Sequence, residues 1–124
     1  MNVNECLYVG DDSFTLKTPE DWVDTNRVYE VTGAPRCTPV PHWFVHNETI
    51  LVFGLQGSFA FEIDDRIYML EKDGFLYIPA ESKYRLRGKE RGISKLHVYA
   101  PTTAVEDSWR EVAVAVKEQQ RRTR

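Results

Sequence analysis

From residue 27 onward the chain consists of short apolar or alternating runs, broken every few residues by Gly, Pro or Asp. Successive residues of a β-strand point to opposite faces of a sheet, and Gly, Pro and Asp supply the turns between strands. "SFAFEI" thus places Phe59, Phe61 and Ile63 on one face, and the "DDR" that follows predicts a hairpin. About eight short strands in about a hundred residues are typical of a sandwich or barrel, and a jelly roll fits best.

The two ends of the chain depart from this strand pattern. "TPEDW" predicts a short N-terminal helical turn, with Thr18 as N-cap and Pro19 in the first position. After Pro101, Thr103 and Glu106 have the spacing of a capping box. Apolar residues then recur at helical spacing, at Trp109, Val112, Ala113 and Val116.

These signals predict a C-terminal amphipathic helix over about 103–118 that packs Trp109 against the barrel. "VAVAV" within it also alternates as a strand would, so a strand stays open as the alternative. A solvated basic tail at 119–124 would follow the helix. We therefore expect one domain over 1–124, mostly β, with its barrel core at 27–101.

Charge and cysteine content limit the class of protein. The 124 residues carry a net charge of −3 without a broad basic surface, so nucleic acid is an unexpected partner. The two cysteines, Cys6 and Cys37, have no C-x-x-C spacing, and the chain contains no long apolar run. We expect a soluble, cytoplasmic protein with no membrane association, and the spacing does not establish a disulfide.

Residues 39–101 resemble a cupin. The first motif of that family opens with a Pro-His approach, places a second His two residues later, then a Glu, and closes at a Gly. Here "PVPHW" supplies the approach with His42, and "VFGLQG" supplies the turn with Gly57. The resemblance puts Ile50 where the metal-binding Glu would stand. It places His42 or His46 on a family histidine, according to where an insertion is allowed, with Phe44 where the partner of His42 would be.

The second cupin motif resembles "KDGFLYIPAESKY". The apolar strand and Pro79 match the family pattern, whereas Glu81 replaces the Gly after the proline. Tyr84 stands where the family has its last metal-binding His. The resemblance therefore implies a jelly-roll barrel in which two of four metal ligands have been replaced.

The remaining donors are poor ligands for a catalytic metal. Such an ion needs about three nitrogen or oxygen donors within ~2.0–2.2 Å. Ile50 supplies none, and a phenol such as Tyr84 titrates near ~10. On a regular strand His42 and His46 would share a face with Glu48, but about 13 Å apart at ~3.3 Å per residue. We expect no cofactor, with one divalent transition metal on an unorthodox ligand set as the alternative.

The candidate catalytic residues are His42, His46 and Tyr84. A His with a pKa near neutrality can move protons, and a Tyr hydroxyl can donate to a developing oxyanion. The metal-independent sugar-nucleotide epimerases of the cupin family use such a His base and Tyr acid. The candidate substrate-binding residues are Phe44, Glu48, Ile50, Val52, Tyr77 and His97. Lys83 and Arg85 beside the second motif are further candidates for holding an anion.

Three functions stay open on this evidence. The favoured one is a metal-independent lyase or isomerase, of the dehydratase, epimerase or cyclase type, that acts on a small oxygenated metabolite. Its His/Tyr acid–base catalysis would take place in an open cavity inside the barrel, large enough for the substrate. The second is a non-catalytic small-molecule-binding cupin, a sensor or an accessory protein. The third is a metal-dependent cupin. Because open sheet edges invite pairing, we also expect a homodimer through the N-terminal strand around "ECLYV".

Overall fold

The computed structural model describes residues 1–22, 26–35, 40–89 and 91–122, which form nine strands and one helix. The strands are β1 (Cys6–Val9), β2 (Asp12–Leu16), β3 (Arg27–Gly33), β4 (Ile50–Gln56), β5 (Ser58–Ile63), β6 (Arg66–Glu71), β7 (Phe75–Ile78), β8 (Tyr84–Gly88) and β9 (Ser94–Ala100). The helix α1 spans Ala104–Arg122. The expected all-β domain with a C-terminal helix is confirmed.

The strands form two antiparallel sheets that share one core. The six-stranded sheet has the order β1-β2-β3-β9-β4-β7, and the three-stranded sheet has the order β6-β5-β8. Strands β2, β3, β8 and β9 alternate strictly between buried and partly exposed residues, as the period of two requires. Strands β6 and β7 are each the edge strand of their own sheet, and they do not pair with each other. We call the unpaired boundary between them the seam.

The β1–β2 hairpin precedes the core that was predicted to begin at residue 27. It adds two strands to the six-stranded sheet and buries Val9, Phe14 and Leu16. The "ECLYV" segment does form an edge strand, as expected. Cys6 on it is exposed, while Cys37 lies outside the described residues.

Helix α1 places its apolar stripe against the sheets. Trp109 is fully buried, with its ring centroid 4.7 Å from that of Phe14 and 4.8 Å from that of Tyr29. The "VAVAV" segment is helical, because Val112 and Val116 are buried while Val114 is exposed, which is the helical period. The helix continues to Arg122, so residues 119–122 of the predicted tail are helical.

The predicted capping box is wrong, because Glu106 has a different role. Its carboxylate is buried and accepts hydrogen bonds from the hydroxyl of Tyr29 and the amino group of Met1. The guanidinium of Arg27, also buried, lies 3.4 Å away. The Ala104 amide donates instead to the hydroxyl of Thr102. Glu106 therefore anchors the first turn of α1 to β3 through a buried ionic cluster.

The predicted N-terminal helical turn is a single hydrogen-bonded turn, in which the Trp22 amide donates to the Pro19 carbonyl. Thr18 is not its N-cap, because its hydroxyl accepts from the Val28 amide. Residues 23–25 lie outside the described residues. No helix in the described part of the chain combines the length and apolar character needed to cross a bilayer.

Gly54 marks an irregularity in β4, where the pairing with β9 shifts register. The Gly54 amide donates to the Gly74 carbonyl and its own carbonyl accepts from the Asp73 amide. A Cβ atom at this position would lie 2.2 Å from the carbonyl oxygen of Glu71. The close approach of the β6–β7 turn to β4 therefore requires glycine here.

Candidate functional site

The segment that carries two of the candidate residues runs alongside β8. Residues 40–49 form no regular strand, but Phe44 pairs with Tyr84 through two backbone hydrogen bonds of 2.8 and 3.0 Å. The Glu81 amide donates to the His46 carbonyl over 2.9 Å. These bonds bring the imidazole of His46 against the ring of Tyr84, with their centroids 5.4 Å apart.

His46, Tyr84 and Trp109 form a buried hydrogen-bonded chain. Nε2 of His46 lies 3.0 Å from the Tyr84 hydroxyl, and the indole N–H of Trp109 donates to the same hydroxyl over 3.2 Å. Nδ1 of His46 lies 2.9 Å from the Glu48 carbonyl oxygen, which can only accept. Nδ1 therefore carries the proton, and neutral Nε2 accepts from the Tyr84 hydroxyl. The polar side-chain atoms of these three residues therefore all have a partner.

Burial keeps both ends of the His46–Tyr84 pair neutral. Loss of hydration lowers the pKa of His46, against the opposing effects of the Glu48 carbonyl and of the Glu48 and Glu81 charges. The same loss of hydration raises the pKa of Tyr84 far above its usual value, against the hydrogen bond from Trp109. The pair is thus a neutral base next to a neutral acid at pH 7.

Side chains fill the barrel interior. Phe14, Phe61 and Trp109 close in on Tyr84 from β2, β5 and α1, and the remaining cavity measures only about 10 Å³. That volume is the space of about one water molecule. The expectation of an open, substrate-sized interior is therefore wrong. Phe44, Ile50 and Val52 do point inward, but as fully buried core residues.

His42 lies away from this interior. Its Nε2–H donates to the Gln119 side-chain oxygen of α1 over 3.0 Å, at a shallow surface groove of about 410 Å³ beside the helix. The prediction that His42 shares a face with His46 assumed a regular strand. Because residues 40–49 are irregular, the alternation argument fails there.

Glu48, Tyr77 and His97 also lie outside the interior. The Glu48 carboxylate accepts from the Thr102 hydroxyl over 2.7 Å, near the start of α1. Tyr77 is 70% exposed on the outer face of the six-stranded sheet. His97 lies on the same outer face, with Nε2 3.4 Å from a carboxylate oxygen of Glu30. The predicted substrate-binding set is thus divided among several surfaces.

The second cupin motif keeps its geometry despite its substitutions. Glu81, where the family has Gly, adopts a φ of 69°, in the left-handed region that favours Gly. Ile50 and Tyr84 both face the interior, at the positions that the resemblance assigns to metal ligands.

These residues do not fit a resident metal ion. Ile50 has no donor atom, burial disfavours ionisation of the Tyr84 phenol, and both ring nitrogens of His46 are already engaged. Within the described ranges, no three His, Cys, Asp or Glu side chains gather as a metal site. The expectation of a cofactor-free protein remains a prediction.

A larger groove lies at the seam between β6 and β7, and the sequence did not predict it. This seam groove has a volume of about 480 Å³. Its apolar lining comes from Ile63, Leu76 and Pro79, and its polar lining from Asp64, Asp65, Arg66, Tyr68, Tyr77 and Ser82. The sequence carries one signal of this groove, because "RIYMLE" has four apolar residues in a row where a strand with one buried face would alternate. In the structure the first three of these, Ile67, Tyr68 and Met69, are exposed.

Comparison with known proteins identifies the fold. No protein-family model matches the sequence, and neither does any curated protein. The hydroxypropylphosphonic acid epoxidase from S. wedmorenis, solved in complex with fosfomycin, matches with a TM-score of 0.67 and 11% identity over 78% of this chain and 55% of its own. The chain thus spans about half the length of that epoxidase.

Two other solved structures agree. A putative mannose-6-phosphate isomerase from Ralstonia eutropha matches with a TM-score of 0.60 and 16% identity, over 74% of this chain and 86% of that one. The Cnp3 cupin domain of Schizosaccharomyces pombe matches with a TM-score of 0.60 and 17% identity, over 78% of this chain and 66% of that one. The protein has a cupin fold, which confirms the resemblance seen in its motifs.

Proposed function

We propose that this cupin-fold protein binds a small oxygenated molecule in the seam groove and does not turn it over. The observation that carries the proposal is the distribution of space. The barrel interior retains about 10 Å³, whereas the seam groove offers about 480 Å³. Small-molecule sites in proteins occupy roughly 300–1,000 Å³, so the seam groove is large enough and the interior is not.

The lining of the seam groove suits a ligand with a carbon skeleton and several oxygens. Ile63, Leu76 and Pro79 provide apolar contact for the skeleton. Arg66 can donate to carboxylate, carbonyl or hydroxyl oxygens, while Asp64 and Asp65 can accept from hydroxyl groups. Six of the nine lining residues are polar, which favours a ligand rich in oxygens.

Ligand mapping by NMR tests this proposal. The uniformly labelled protein would be titrated with a panel of monosaccharides, hydroxy acids and nucleosides while backbone amide shifts are followed. We expect one class to shift the amides of residues 63–68 and 76–82. The variant Tyr68→Ala should weaken binding, while Tyr8→Ala, an exposed tyrosine on β1, should not. Shifts confined to the interior, or none with the whole panel, would contradict binding at the seam.

A second candidate is the metal-independent lyase or isomerase favoured by the sequence. The observation in its favour is the 3.0 Å hydrogen bond between the Tyr84 hydroxyl and a neutral acceptor nitrogen of His46. In this proposal Tyr84 is the acid and His46 the base, and α1 must withdraw Trp109 before a substrate can reach them. The reaction would be an elimination, an epimerisation or a cyclisation.

Turnover assays distinguish the two candidates. If the interior is catalytic, any metabolite identified by the NMR panel should be converted by the parent protein. Tyr84→Phe and His46→Gln should then abolish turnover while retaining binding, and His42→Ala should retain both. If the parent protein binds its ligand but never converts it, the enzyme candidate is wrong and the binding function is supported.

A homodimer through β1 and a cytoplasmic location remain proposals as well. Support for the first is the position of β1 as an open edge of the six-stranded sheet. Sedimentation that gives a monomer at every concentration measured would remove it.

A further inference from the structure

Four basic residues line up on the outer face of the three-stranded sheet. Along β8 and its flanks, Tyr84, Leu86 and Gly88 are buried, and the residues that alternate with them face outward. These outward residues are Lys83, Arg85, Arg87 and Lys89, which we call the basic row. At about 6.6 Å between alternate residues of a strand, the row is about 20 Å long. It stands out in a chain whose net charge is −3.

One end of the basic row is held by an aromatic ring. The Lys83 ammonium lies 4.9 Å from the centre of the Trp43 ring, and the Arg85 guanidinium carbon lies 4.3 Å from it. Arg85 also donates to the Glu62 carboxylate over 3.1 Å. Among the described residues this is the row's one ion pair, so most of its charge is available to a partner.

Exposed apolar side chains run parallel to the basic row. The pairing of β5 with its two neighbours places Ile67, Glu62 and Arg85 side by side. It likewise places Met69, Ala60 and Arg87 side by side. Ile67 and Met69 are 68% and 56% exposed. An apolar strip on β6 thus lies about 10 Å from the basic row, two strand spacings away.

We propose that this outer face binds an acidic, amphipathic peptide segment of a partner protein. Carboxylates on such a segment would pair with the basic row, and its apolar side chains would cover Ile67 and Met69. Carboxylates on alternate residues of an extended peptide repeat every ~6.6 Å, which matches the spacing of the row. Charge complementarity would steer the encounter, and burial of the apolar strip would hold it.

The same features favour a peptide over a nucleic acid. Lys83 and Arg85 already cover the Trp43 ring, so the ring is not free to stack on a base. Aliphatic side chains such as Ile67 and Met69 match the apolar residues of a peptide better than they match a sugar-phosphate chain.

Fluorescence anisotropy with a synthetic labelled peptide tests the proposal. The probe is a twelve-residue peptide in which Glu alternates with Leu, flanked by Pro to prevent self-association. Comparison peptides replace Glu with Lys or Leu with Ser, and an oligouridylate of equal charge serves as the nucleic-acid probe. We expect binding of the Glu-Leu peptide that weakens with salt, and weaker binding of each comparison probe.

Matched charge reversals locate the binding face. Arg87→Glu combined with Lys89→Glu should weaken peptide binding by roughly tenfold or more. Lys17→Glu combined with Lys117→Glu makes the same change in net charge elsewhere and should leave binding unchanged. The pair Ile67→Ser and Met69→Ser should weaken binding while preserving its salt dependence, and circular dichroism would verify the fold of each variant.

Three outcomes would overturn the proposal. They are equal loss of affinity in the two charge-reversed variants, tighter binding of the oligouridylate than of the Glu-Leu peptide, and no peptide binding by the parent protein at low salt. The first two would reduce the row to a general polyanion effect or a nucleic-acid surface. The third would make it an ordinary solvated sheet face.

Discussion

The Tyr84 hydroxyl lies 3.0 Å from Nε2 of His46, and both side chains are buried beneath Trp109. Residue types suited to acid–base chemistry are here packed as core, with each polar atom of the pair satisfied by protein. As packed here, the pair stabilises the folded protein and is not accessible to a substrate. Its energetic role can be measured without knowledge of any ligand.

Tyr84→Phe should destabilise the fold. Removal of the hydroxyl leaves the indole N–H of Trp109 and Nε2 of His46 buried without partners, which costs about 1–3 kcal/mol. Urea denaturation followed by circular dichroism would measure the loss. Tyr77→Phe is the matched control, because its ring is largely exposed, and it should change stability by less than about 0.5 kcal/mol. Equal effects of the two substitutions would refute the buried hydrogen-bonded chain.

Acidification should destabilise the fold through His46. Burial lowers the pKa of its imidazole in the folded protein, so below about 6.5 the unfolded chain binds the proton more readily. The free energy of unfolding therefore decreases as the pH is lowered, until His46 in the folded protein is itself protonated. Urea denaturation at a series of pH values should give a shallower slope for His46→Gln than for the parent. His42→Gln should retain the slope; loss of it in both variants, or in neither, would contradict this assignment.

Glu106→Gln should be among the most damaging single substitutions in α1. It removes the charge that balances buried Arg27 and weakens the acceptor for Tyr29. Breaking a buried ion pair from one side costs about 3–5 kcal/mol. Thermal and urea denaturation would measure this cost. Glu111→Gln, on the exposed side of the same helix, should cost less than about 0.5 kcal/mol. A mild effect of Glu106→Gln would show that the cluster does not anchor the helix.

Gly54→Ala should destabilise β4 by more than about 2 kcal/mol, since its Cβ atom would lie 2.2 Å from the Glu71 carbonyl oxygen and the backbone must move. Hydrogen exchange should locate the disturbance at the β6–β7 turn, whose Asp73 amide donates to Gly54. The control Val114→Ala, at an exposed helix position, should leave exchange at this turn unchanged. Normal exchange there in Gly54→Ala would mean that the turn does not depend on the close approach.

The strands, the helix and the inward positions of Ile50 and Tyr84 could be predicted because they depend on local periodicity and motif spacing. His42 was misplaced because alternation holds only within a regular strand, and residues 40–49 lack one. The filled interior was missed because its volume depends on Phe14 and Trp109, which come from opposite ends of the chain. The seam groove was missed because it depends on which strands become sheet edges, and that is a property of topology.

The indole of Trp109, which α1 carries, fills part of the barrel interior. In an open jelly roll this volume would be left to solvent. The substitution Trp109→Gly would therefore leave a cavity of the size and shape of an indole inside the barrel. Free indole added to the medium should enter this cavity and restore the melting temperature, because its N–H can again donate to the Tyr84 hydroxyl. The protein would then respond to an aromatic compound that it now carries as part of its own chain.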